Sequence, residues 1–133
     1  NIASAQIEQV LFRHPDIVLA GVYAVPDDVV GDRVMAALQL RPGARFDAVE
    51  FERFLAAQSD FGTKWMPAFV RVMAEIPVTA TAKVLRRQLR EQRWRTDDPL
   101  WWKPRMDEPY RRMGADDVAA YEARFAPGTP TRL

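Results

Sequence analysis

Cysteine is absent from the 133-residue chain, so disulfides, thiolate metal sites and cysteine nucleophiles are all excluded. The absence fits a cytoplasmic protein. Histidine occurs once. His14 has no serine or carboxylate partner identifiable in the sequence and reads as a helix-end residue rather than a catalyst. The six glycines are scattered. No glycine-rich loop cradles a phosphate, so the chain alone is not equipped to bind a nucleoside triphosphate well. No apolar run approaches the roughly 20 residues that a membrane span needs, and no secretory signal is present. An excess of one charge is missing too: 19 basic against 18 acidic side chains leave a net charge of +1. Electrostatics is therefore not the main attraction to nucleic acid or to an acidic membrane.

Lysine is scarce. It stands only at positions 64, 83 and 103, against sixteen arginines. Arginine is the default here, so a lysine at a chemically suggestive place carries more information. The remaining composition, 48% hydrophobic and 28% charged, is globular and sufficient for one domain with its own core. The chain opens at Asn1 without an initiating Met, directly into a helical pattern, and is expected to be a piece of something longer.

Ser4 is a candidate N-cap for a first helix carrying Ile7, Val10 and Leu11 at helical spacing, stopped by His14-Pro15. Ile17 to Val25 and Val34 to Leu40 are strand-like runs, long enough to pair as an antiparallel hairpin around Gly31. Asp47 caps a second helix with Val49, Phe51, Phe54 and Leu55 as its apolar positions. A loop over Ser59 to Pro67 precedes a third strand, Ala68 to Ile76. The small-residue loop Thr79 to Lys83 then leads into a short basic helix, Val84 to Arg93. This order predicts an α+β fold: a hairpin and a third strand forming a sheet flanked by helices. From Trp94 onward the composition changes to Pro, Trp, Tyr and charge, an irregular extension with one more helix over Asp116 to Phe125 and a frayed end, Ala126 to Leu133.

Small and hydroxylated residues in Pro77-Val78-Thr79-Ala80-Thr81-Ala82-Lys83 let the backbone approach a ligand, and Lys83 can meet an anion as a point charge with three donors. Taken alone, this is a solvated polar loop, and its spacing is a weak signal. Arg86, Arg87, Arg90, Arg93 and Arg95 form a basic stretch whose simplest reading is a solvated helix face. Asp27-Asp28 and Asp97-Asp98 are turn pairs without the further ligands a metal site needs.

The blocks agree in order with one family. Asn1-Ile2-Ala3-Ser4 through Glu8, His14-Pro15, Gly21 to Asp27, Gly31 to Ala37, Arg41-Pro42-Gly43, Pro67 to Val72, and the Thr79-to-Lys83 loop followed by Leu85-Arg86-Arg87 together resemble the C-terminal lid domain of adenylate-forming acyl-CoA synthetases. The resemblance covers residues 1–93 as the lid, with 94–133 as an extension packing on it. That family usually has Gly directly before the lysine, where this chain has Ala82; a methyl there restricts the backbone if φ is positive. Asp97-Asp98-Pro99-Leu100-Trp101-Trp102, then Asp107 and Tyr110, is similar to the extension of long- and very-long-chain fatty acid–CoA ligases of the fatty-acid-transport type. The tryptophans of that extension are expected to pack against the lid rather than touch an acyl chain.

The resemblance implies an AMP-forming fatty acid–CoA ligase in which an upstream adenylation domain of the same chain binds ATP, Mg²⁺ and the acid. Lys83 would stabilise carboxylate adenylation, with Thr79, Thr81 and Ala82 forming the loop around it. Rotation of the lid would then help form the CoA channel, on a face that includes Asn1, Ile2, Ala3 and Ser4. The hinge residue and a glycine-rich turn would lie upstream of Asn1. Acylation of Lys83 is expected to silence adenylation by removing its charge. The isolated domain is expected to be inactive, no nucleic acid is expected as a partner, and peripheral membrane association of the parent enzyme is left open. Sterol-like carboxylates, or a carrier protein in place of CoA, stay open as substrate and acceptor. The alternative from another class is a stand-alone interaction or regulatory module with the same fold.

Overall fold

The structure, a computed structural model, describes residues 2–125. Asn1, one of the residues assigned to the CoA-channel face, and the tail 126–133 lie outside the described residues.

Helix α1 (Ser4–Leu11) turns Ile7, Val10 and Leu11 inward. Ser4 is the first helical residue rather than the N-cap; Ala3 takes that place, without a side-chain hydrogen bond. The helix ends short of His14-Pro15, where proline disfavours helical backbone. His14 is buried, and its Nδ1 accepts the Asp16 N–H at 3.1 Å. The proton therefore sits on Nε2, which donates to Glu50 Oε1 at 2.7 Å. His14 thus ties the end of α1 to helix α2 (Ala48–Ala56). The predicted cap of α2 is present: Asp47 Oδ1 accepts from Glu50 N at 3.0 Å, a bond worth about 1 kcal/mol.

Strands β1 (Ile17–Asp27) and β2 (Gly31–Leu40) form the expected antiparallel hairpin, with Val22 opposite Ala36 and Tyr23 opposite Met35. Pro26 falls inside β1, which is tolerated because β1 is an edge strand. Asp27 Oδ2 accepts the N–H groups of Val29 and Val30, each at 3.0 Å, and Gly31 closes the turn at φ 90°. Strand β3 (Phe69–Met73) lies parallel to β2. A parallel neighbour needs a long crossover, and α2 together with a 3-10 turn at Thr63–Trp65 supplies it. β3 is shorter than the Ala68-to-Ile76 run because Ala74 and Glu75 turn out to solvent.

Helix α3 (Arg86–Gln92) follows the Lys83 loop and buries Leu89. The sheet then continues past residue 93. Strands β4 (Leu100–Trp102) and β5 (Arg111–Arg112) extend it to five strands in the order β1-β2-β3-β4-β5, and helix α4 (Ala115–Ala123) follows.

Both faces of the sheet are covered, which is why β2 reads as an unbroken apolar run. Val34, Ala36 and Leu38 face the core under α1 and α2, with Ile7, Leu11, Phe51 and Leu55. Met35 and Ala37 face the other core, with Phe69, Leu89, Trp94, Trp102 and Tyr121. In that second core Phe69 meets Trp94, Trp102 and Tyr121 at ring-centroid distances of 5.3, 6.1 and 5.4 Å.

Candidate functional site

Lys83 stands at the end of a tight hairpin whose stem is the Val78–Val84 bridge. Thr79 N donates to Lys83 O at 2.8 Å and Ala82 N to Thr79 O at 2.9 Å, which leaves Ala80, Thr81 and Ala82 as a three-residue loop. Loops of this length usually end in a left-handed residue that forms a bulge. Ala82 has φ 65° and fills that role. The structure therefore answers the question raised by the missing glycine: the backbone is left-handed there, and alanine occupies it.

Thr79 organises the interior of the loop. Its Oγ1 accepts from Thr81 N at 3.3 Å and Lys83 N at 3.1 Å, and lies 3.1 Å from Thr81 Oγ1. Thr79, Thr81, Ala82 and Lys83 are all exposed, and the Lys83 ammonium has no hydrogen-bond or ion-pair partner among the described residues. An unpaired cation on an ordered backbone is available for an anion brought from outside the chain.

Below its tip the hairpin is fastened at both ends. On the entry side, buried Ile76 donates its N–H to Gln39 Oε1 of β2 at 2.8 Å. On the exit side, Leu85 N donates to Pro77 O at 2.9 Å. Val84 and Leu89 press onto β1 at Gly21: a Cβ there would lie 2.8 Å from Val84 Cγ1 and 3.0 Å from Leu89 Cδ1. Gly21 is required by close approach, not by its dihedrals.

Ile2, Ala3 and Ser4, assigned with Asn1 to a CoA-channel face, sit at the start of α1, and no hydrogen bond joins them to the Lys83 hairpin among the described residues. Ile2 instead lines an open groove of about 650 Å³ with Val30, Val34, Lys64, Met66 and Met106. The connection between α1 and the lysine hairpin runs through a residue that sequence reasoning missed. Glu8 is buried, its Oε2 accepting from Val22 N at 2.8 Å and from Arg86 Nε at 2.9 Å, while its Oε1 pairs with Arg86 Nη2. The available signal was a carboxylate next to Ile7 and one turn before Leu11, on the apolar flank of its helix.

The basic stretch divides accordingly. Arg86 pairs with Glu8, Arg87 with Glu91 at 3.3 Å, and Arg95 with Glu122 at 2.8 Å, while the Arg93 guanidinium lies 6.0 Å from the Trp94 ring centre. Asp98 pairs with buried Arg71 at 2.9 Å, and among the described residues no group of three or more His, Asp or Glu side chains could hold a metal ion.

Comparison with known proteins gives this arrangement a family. The sequence profile of the AMP-binding enzyme C-terminal domain matches residues 6–83, ending on the lysine itself. A steroid-22-oyl-CoA synthetase from Rhodococcus jostii is 46% identical over 126 residues, covering 94% of this chain and 23% of that protein. The medium/long-chain-fatty-acid–CoA ligase FadD17 of Mycobacterium marinum is 52% identical over 101 residues, covering 76% of this chain and 20% of the ligase. Among solved structures, an amide bond synthetase from Marinactinospora thermotolerans aligns with TM-score 0.61 and 33% identity, covering 73% of this chain and 19% of that one. An acyl-CoA synthetase from Brucella canis aligns with the same TM-score, 0.61, and 27% identity over 68% of this chain and 17% of its own. The chain spans about a fifth of the length of the curated relatives it matches. With its sheet, its lysine hairpin and the span of that match, the chain belongs to the AMP-binding enzyme C-terminal domain family.

Proposed function

We propose that this chain is the lid of an ATP-dependent ligase that joins a long apolar carboxylic acid to CoA, and that Lys83 is its adenylation lysine. One observation carries the reading. Lys83 is an exposed, unpartnered cation on a hairpin braced at both ends, at the last position matched by the family profile. In the first half-reaction a carboxylate oxygen attacks the α-phosphorus of ATP and the bond to pyrophosphate breaks. Negative charge grows on the nonbridging oxygens, and a fixed ammonium brought into a closed, dry site stabilises it. In the second, the CoA thiol attacks the acyl carbon, loses its proton, and AMP departs. The lid would withdraw Lys83 and present the α1 end between these steps, which is gating by domain movement. ATP, Mg²⁺ and the acid would be held mainly by the upstream adenylation domain.

For the acid we favour a fatty acid, in line with the 52% identity to FadD17. A steroid side-chain carboxylate is the second reading. It is favoured by the Rhodococcus relative, whose similarity runs over 126 residues and therefore into the extension.

The test is ATP–pyrophosphate exchange by the full-length enzyme with each class of acid, before and after Lys83→Ala. Loss of exchange on the order of 10²–10³-fold, about 3–4 kcal/mol, is expected for removing one preorganised charge. Thioester formation from preformed acyl-adenylate should survive far better. Unchanged exchange in Lys83→Ala would make Lys83 a surface lysine and overturn the reading.

A further inference from the structure

We infer that Glu8 is a positioning residue for the adenylation step, holding the Lys83 hairpin in place through Arg86. This rests on the assignment of Lys83 above.

Among the described residues, the tip of the hairpin is held by its own short-range hydrogen bonds alone. Where the Lys83 backbone stands, and so what its ammonium can reach, is therefore set by the stem and by what the stem rests on. On the exit side, three residues in a row after Lys83 have defined supports. Val84 fills the space over Gly21, Leu85 N is held by Pro77 O at 2.9 Å, and Arg86 reaches Glu8. The first two resist movement toward the sheet or away from the stem. The Glu8–Arg86 pair adds a restraint of another kind, because its two donors and two acceptors fix direction as well as distance.

Glu8 is suited to that work because its carboxylate is itself immobile. Its side chain is 10% exposed, and Oε2 is committed to Val22 N of β1 at 2.8 Å as well as to Arg86 Nε at 2.9 Å. The Val22 amide lies on the edge strand, so the same oxygen that orients Arg86 also satisfies a backbone donor that would otherwise face outward. Helix α1, edge strand β1 and the lysine hairpin thus meet at one carboxylate. A charge stabiliser is effective only when it is held at the right place before the reaction begins. The Glu8–Arg86 pair supplies that holding from 78 residues away in sequence.

The experiment is a double-mutant cycle in the full-length enzyme, read by ATP–pyrophosphate exchange, with Glu8→Gln and Lys83→Ala alone and together. Glutamine retains an acceptor for Val22 N and loses the ion pair. Arg86→Gln, at the half-exposed partner, serves as a second variant that leaves Glu8 in place. Each variant's melting temperature and its thioester formation from preformed acyl-adenylate are measured alongside. Glu8→Gln and Arg86→Gln are each expected to lower kcat for exchange about tenfold, less than the 10²-fold that follows a full 1 Å misplacement, with KM for ATP little changed. In the Lys83→Ala background the further loss should be under about twofold, because a residue acting through Lys83 has nothing left to position. Equal fold losses in both backgrounds, or no loss from Glu8→Gln in native background, would overturn the role of Glu8 while leaving Lys83 intact. Full exchange in Lys83→Ala alone would instead sink the lysine assignment on which the inference stands.

Discussion

Ala82 is one of two non-glycine residues at positive φ among the described residues, the other being Arg93. A φ of 65° favours glycine, and an alanine held there costs about 1–2 kcal/mol relative to ordinary helical backbone. The hairpin accepts that cost because Thr79 and Lys83 close the loop on either side of it, with Thr79 N bonded to Lys83 O and Ala82 N to Thr79 O. Ala82→Gly should relieve the strain and give back part of the gain as unfolded-state entropy. The expected net is a stabilisation of up to about 1 kcal/mol, measured as a shift in denaturant midpoint. Ala82→Val should be destabilising by more than that, since a β-branched residue tolerates positive φ less well. A valine variant as stable as native would mean that the loop is not left-handed in solution. At this scale the sequence already points to the loop that the proposed function rests on. The scarcity of lysine drew attention to Lys83, and the absent glycine pointed to the strained position. The Glu8–Arg86 pair was not legible, because a carboxylate and a guanidinium 78 residues apart become partners only once α1 and α3 lie on the same strand.

Among the elements, α3 and the exit side of the lysine hairpin pack directly on β1. Gly21 lies within β1, inside the apolar run from Ile17 to Val25. The structure shows what it is for: Val84 and Leu89 occupy the space a side chain would need. Gly21→Ala should therefore push the exit strand of the hairpin away from the sheet, at a cost of about 1–3 kcal/mol, the usual range for overpacking a well-filled contact. Adding Val84→Ala removes the nearer methyl at 2.8 Å, so the double variant should be less destabilised than the sum of the two singles. Additive losses in urea unfolding would place the strain elsewhere. The long periodic elements are legible from pattern, α1, the β1–β2 hairpin, α2 with its Asp47 cap, and β3, but Ser4 does not cap α1 and Val49, expected on the apolar side of α2, faces solvent. β4 and β5 were not, and their length explains it. A strand of three residues and one of two, the latter Arg111-Arg112, carry no alternation to detect; they exist because β3 offers β4 a partner edge and β4 offers one to β5.

The molecule as a whole depends on that added edge. β4 pairs with β3, setting Trp102 opposite Phe69, and Trp94 and Tyr121 close over the same ring. Tyr121 also reaches back across 94 residues to the β1–β2 turn, donating its hydroxyl to Asp27 Oδ1 at 2.5 Å. Burial raises the Asp27 carboxyl, but the Tyr121 hydroxyl, the Val30 and Val29 amides and Arg33 outweigh it and hold the group below the usual carboxylate range. The tether is therefore complete at neutral pH. It weakens only as pH falls through that lowered value, so ordinary physiological acidity leaves it intact. A chain cut after Arg93 would lose Trp94, Trp102 and Tyr121 together. Each buried aromatic of this kind is worth about 3–5 kcal/mol on truncation, and the sum rivals the whole stability of an ordinary domain, about 5–15 kcal/mol. The cut also leaves β3 as a bare edge with Phe69 uncovered, a surface that invites association. Residues 1–93 alone should accordingly show no cooperative melt, bind a hydrophobic dye and aggregate, while residues 1–125 melt as a single unit. A cooperative transition and well-dispersed amide spectrum from the shorter chain would make 94–125 a separable appendage. Failure of the shorter chain would mean that the extension completes the core that carries the Lys83 hairpin.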